Sequence, residues 1–155
     1  MKFYTLYILS AIGNFFVIMF YWGISAGFAN FLPPMAAIAS ALLFLIAAPA
    51  QVLKPKLGVI IGLICTLAII PFNVSFLVGS IENSSLFELS GFLFSIPSII
   101  SGILLYILGK TVLSKDFSTA EIHGGKTSKM LLAGTPIVLF IIYAISIADN
   151  LQFTQ

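Results

Sequence analysis

Residues 34–79 read PMAAIASALLFLIAAPAQVL, then KPK at 54–56, then LGVIIGLICTLAIIPFNVSFLVG. Two apolar runs flank a three-residue break that holds two lysines and a proline. At 1.5 Å per residue, a helix of ~20 residues crosses ~30 Å of hydrocarbon. Each run has that length, so the segment reads as two membrane-spanning helices joined by a tight turn. The pattern continues on both sides. The expected spans are Phe3–Ala29, Pro34–Leu53, Leu57–Gly79, Leu86–Leu113 and Met130–Ala148, with a loop over 114–129.

Composition agrees with this pattern. The chain has 155 residues, 60% hydrophobic and 8% charged, far below the roughly 25% charged content of a soluble domain. So little polar surface excludes a water-soluble globule. The formal charge of +2 is too small to argue for nucleic-acid binding. The apolar run from Phe3 is much longer than the ~7–15 residues of a signal peptide core, so a retained first helix is expected.

The lysines orient the bundle. There are seven basic residues, all lysine. Lys2 precedes the first span, Lys54 and Lys56 follow the second, and Lys110, Lys115, Lys126 and Lys129 surround the loop after the fourth. The alternate connections, around Asn30 and Asn83, hold none. Basic residues near span ends stay cytoplasmic. The expectation is one all-α membrane domain over 1–155, a bundle of five transmembrane helices. Its N-terminus is cytoplasmic and its C-terminus external, in a bacterial cytoplasmic membrane.

Local signals refine the picture. Ser85 with Glu88, and Ser118 with Glu121, have capping-box spacing. The second pair, with Phe117 and Ile122 as a staple, predicts a short surface helix in the 114–128 loop. Gly58 and Gly62 have GxxxG spacing, with Cys65 and Asn73 near the same face, and Gly23 and Gly27 repeat it in the first span. In the fourth span Gly91, Ser95, Ser98, Gly102 and Gly109 share one face, and a helix–helix contact is expected there. Leu104 lies off that face. Pro49, Pro71, Pro97 and Pro136 each withhold a donor one turn back, from the carbonyls of Leu45, Leu67, Leu93 and Leu132. In lipid those carbonyls need partners from neighbouring helices, serines or water.

Chemistry-bearing groups are few. Ala120–Thr127 resembles a permissive phosphate loop, yet no strand or α/β domain surrounds it. His123 is the only histidine and Cys65 the only cysteine, so neither a haem pair nor a multi-ligand metal site can be assembled. The span interiors hold no Asp, Glu, Lys, Arg or His, which ion-coupled carriers usually need. No catalytic residue, cofactor, metal or nucleotide is therefore expected. The polar residues at depth, Asn14, Asn73, Ser95 and Ser98, together with Gly102, are the candidate helix-contact or solute-path residues. The expected role is a non-catalytic accessory or structural subunit in the bilayer, with a membrane-protein partner or a second copy. The alternative is a small channel or uncoupled carrier for a neutral solute.

Overall fold

In the computed structural model, which describes residues 2–22, 32–82 and 89–152, every long element is an α-helix. They are α1 (Lys2–Trp22), α2 (Leu32–Leu53), α3 (Pro55–Glu82), α4 (Leu89–Ser114) and α5 (Lys126–Gln152). Pro55–Ser75, Ser95–Ser114 and Lys126–Ile145 are each long and apolar enough to cross a membrane, with mean hydropathies of 2.4, 1.8 and 1.8. Phe3–Phe16 and Ile38–Leu53 are shorter apolar helical stretches. The Ser85–Glu88 capping box and the Gly23/Gly27 pair lie outside the described residues.

Lys54 alone separates α2 from α3. Pro55 then opens α3 at a first-turn position, where a missing N–H removes nothing the helix needs. The turn works because the two helices touch almost at once. A Cβ on Gly58 would collide with the backbone of Gln51, and one on Gly62 would collide with the Tyr7 ring. The Gly58/Gly62 pair is thus a seam of close approach, and Cys65 and Asn73 on the same face are also buried.

The first four helices close a ring, with α1 and α3 each packed against both α2 and α4. Its core includes Phe3, Tyr7, Phe44, Leu45, Val59, Ile69, Leu104 and Leu108. Tyr7 stacks on Phe44, ring centroids 6.1 Å apart, and its hydroxyl donates to the Gly58 carbonyl at 3.2 Å. Helix α5 lies outside the ring, against α2. Of its residues with a described burial, Pro136 alone is fully buried. Two further contacts tie it to α1. Phe15 and Tyr143 stack at 4.2 Å, and the Tyr4 hydroxyl donates to the Leu132 carbonyl at 2.9 Å. That carbonyl is the one Pro136 leaves without a helical donor, so a neighbouring helix supplies the missing bond.

These contacts set the polarity of the bundle. α1, α3 and α5 begin, and α2 and α4 end, at one end of it. All seven lysines lie on helix termini, turns or loop at that end, whereas Glu82 closes α3 at the other.

The loop after α4 differs from the expectation. Ser118–Ala120 forms a single 3-10 turn, Phe117 occupies its cap position without a side-chain bond, and Glu121 is extended. The Ser118/Glu121 capping box does not form because Asp116 competes for the serine. Its Oδ1 accepts from the Ser118 backbone N–H at 3.1 Å and from the Ser118 hydroxyl. Those bonds favour the ionised carboxylate and hold its pKa below the usual value, the hydroxyl bond being the larger cause. Lys115, just past the end of α4, has φ 56°. This left-handed cap position usually falls to glycine, and here a cation takes it, beside the partial negative charge of a helix C-terminus.

Candidate functional site

The polar residues at depth fall on the inner faces of the ring. On α3, Asn73 is 4% exposed. Its Nδ2 donates to Ser101 Oγ of α4 at 2.7 Å, and its backbone carbonyl accepts from Ser98 Oγ at 3.1 Å. Ser95, 4% exposed, lies one turn away on the same side of α4. Asn73 therefore acts as a clasp between two helices. Ser101 belongs to it as well, and its only mark among the residues is a spacing from Ser98 and Ser95 that puts it on their face. Such interhelical bonds contribute about 0.6 kcal/mol each in a membrane bundle. We expect Asn73→Leu and Ser101→Ala each to destabilise the protein, and the double variant to cost less than their sum. A double-mutant cycle in detergent unfolding measures the coupling. A coupling of zero would mean that the clasp does not contribute.

Asn14 sits on α1 with no exposure. Its Nδ2 donates to the Ser10 carbonyl one turn back at 2.8 Å. The structure places it beside the α3–α4 clasp along the bundle. A Cβ on the preceding Gly13 would stand 3.2 Å from the Pro97 ring, and Pro97 directly precedes Ser98. Asn14, Asn73, Ser95 and Ser98 thus occupy one level of the ring.

Gly102 parts from this group. It is exposed, and a Cβ built on it meets nothing within 4 Å; Gly109 is equally open in front. The intramolecular contact of α4 runs through Ser95, Ser98, Ser101, Leu104 and Leu108, so the stripe of small residues divides between an inner and an outer face. Leu104, expected to lie away from the contact, is fully buried. The chain places the large side chain inside and the glycine outside.

At the lysine end the loop folds onto the ring. Ala120 is fully buried and Ile122 nearly so. Gln51, at the end of α2, donates from Nε2 to the Ala120 carbonyl at 2.9 Å. Lys56 lies 5.9 Å above the Phe117 ring, which itself rests on the core. His123 and Glu121 approach to 3.9 Å with both side chains largely exposed, a rim pair of negligible strength. Gly124, Gly125, Lys126 and Thr127 are exposed, and no strand lies beside them among the described residues, so the phosphate-loop spacing lacks the surroundings that chemistry requires. No group of three or more His, Cys, Asp or Glu side chains placed to hold a metal occurs among the described residues.

No family model, curated protein or solved structure matches this chain. The functional reading therefore rests on its own geometry.

Proposed function

We propose that this chain is a five-span integral membrane protein, N-terminus cytoplasmic and C-terminus external, that serves as a non-catalytic helical subunit of a membrane assembly. The observation that carries the reading is the outer face of α4. Gly102 and Gly109 are seven residues apart, hence nearly in line along the helix, with open space in front of both among the described residues. Outward-facing glycines let a further helix approach the backbone closely, which is how helices associate where apolar burial gives no drive. Helix α5 adds a second open flank. Gly134 is open in front, and a groove of about 590 Å³ runs along Thr127, Met130, Leu131, Thr135 and Val138. The lysines at one end of the bundle support the cytoplasmic placement of that end.

The second reading, a path for a neutral solute, draws on Asn14 and Asn73 at one level of the ring. The clasp weakens it, because Asn73 donates one amide N–H to Ser101 and its backbone carbonyl accepts from Ser98. The discriminating experiment purifies the wild type and Gly102→Leu in mild detergent and compares their assembly. We expect the wild type to run with a stoichiometric partner or as a symmetric oligomer. Gly102→Leu should release a folded monomer, since leucine there touches nothing within the chain. Solute flux in liposomes from a wild type that is monomeric would sink the subunit reading in favour of the second.

A further inference from the structure

Three buried polar atoms have no hydrogen-bond partner among the described residues: Ser10 Oγ, Asn14 Oδ1 and Gln51 Oε1. Gln51 lies near the loop, at the lysine end. Ser10 and Asn14 lie deeper, one turn apart on the inner face of α1, and neither has any exposure. Residues four apart on a helix face one another across ~5–6 Å between Cβ atoms. Two unpaired groups at one point inside a bilayer carry a heavy penalty if left dry. Buried polar atoms as a rule bond to protein or to ordered water.

The protein cannot repair the deficit by turning the amide over. The Nδ2 of Asn14 is fixed by the Ser10 carbonyl, and the opposite orientation would set two oxygens against each other. Oδ1 therefore accepts from something else, and that donor has to be small. Of the two groups, the Ser10 hydroxyl can both donate and accept, whereas the Asn14 oxygen can only accept.

We propose that a water molecule is held between Ser10 and Asn14 as an integral part of the fold. One of its hydrogens goes to Asn14 Oδ1, and its lone pair accepts the Ser10 hydroxyl. Two bonds lie within the ~2–4 that a buried water makes. An apolar guest would bring no donor and an anion would meet acceptors, so the site selects a small neutral donor. The inference depends on the buried atoms alone and stands apart from the subunit reading.

The test is water-edited solid-state NMR on the full-length protein in liposomes, with carbon-labelled Asn, Leu and Ile. It follows polarisation passing from water protons to the Asn14 side-chain carbon, assigned by its loss in Asn14→Leu. The expected build-up is several-fold faster than at Leu45 and Ile69, which are equally buried and apolar. Ser10→Ala removes one of the holding groups with little change in volume and should slow the Asn14 build-up while leaving Leu45 unchanged. An Asn14 signal that rises no faster than Leu45 in the wild type overturns the proposal. So does one that is indifferent to Ser10→Ala. Partner binding plays no part in either readout, so failure here and failure of the subunit reading are separate events.

Discussion

Gly58→Ala is expected to lose most of its folded protein, although it adds a single methyl group. The new Cβ would meet the Cα, Cβ and backbone nitrogen of Gln51, and no side chain there can rotate away. Either α2 and α3 part at their tightest point or the turn at Lys54 reopens. Extra methylenes in a packed interior typically cost about 1–3 kcal/mol, and a backbone neighbour puts this position at the upper end. Gly62→Ala should behave similarly, because its Cβ would enter the Tyr7 ring and dislodge the hydroxyl bond to Gly58. Unfolding midpoints in a graded detergent titration measure both. Gly102→Ala is the control, with an expected change within about 0.5 kcal/mol. Equal tolerance at Gly58 and Gly102 would show that the close approach is not structural.

Leu104→Ala is the second large effect. Leu104 and Leu108 are fully buried on α4, and truncating a buried leucine costs about 2–5 kcal/mol in well-packed interiors. Dispersion contacts are the main adhesive between helices in lipid, so the lost neighbours are not offset elsewhere. The same titration should show a midpoint far below that of Leu113→Ala, whose side chain is 86% exposed. A similar shift at both positions would place the α4 core elsewhere.

Much of the architecture is legible in the residues themselves. Runs of apolar residues broken around Asn30, at Lys54–Lys56, around Asn83 and at the 114–129 loop mark out five helices, and the lysines foretell that α1, α3 and α5 start at a common end. The seam at Gly58 and Gly62 follows from small residues one turn apart. The need for a donor at the Leu132 carbonyl follows from Pro136. What the residues conceal is which face of each helix turns inward. A soluble helix shows its buried side by contrast with a polar side. In this chain both sides are apolar, as with Leu104 inside and Ile99 or Ile103 outside, so periodicity carries little information. Grouping by small size then merged Ser98 with Gly102, although one bonds to α3 and the other faces outward. The loop departs from its capping-box spacing for a different reason. Ser118 has two acidic neighbours, and the nearer one, Asp116, takes it.

Within the candidate site, Asn14 and Asn73 could be picked out because amides are rare in such stretches and expensive to bury. Their partners could not. Nothing local in the sequence says that Asn73 meets Ser101, twenty-eight positions away, or that Gln51 meets a carbonyl in the 114–129 loop.

The bond from Tyr4 to Leu132 joins residues 128 positions apart, the first turn of the first helix to the second turn of the last. During synthesis α1 is made long before α5, so the tyrosine hydroxyl must wait for its acceptor. The carbonyl in turn emerges already lacking a donor. Neither group meets the other until both helices are made. A chain that stopped at the loop would lack the partners of the Tyr4 hydroxyl and the Phe15 ring. Completion is marked at the outside of the ring, where α5 reaches α2 and α1, rather than at its centre.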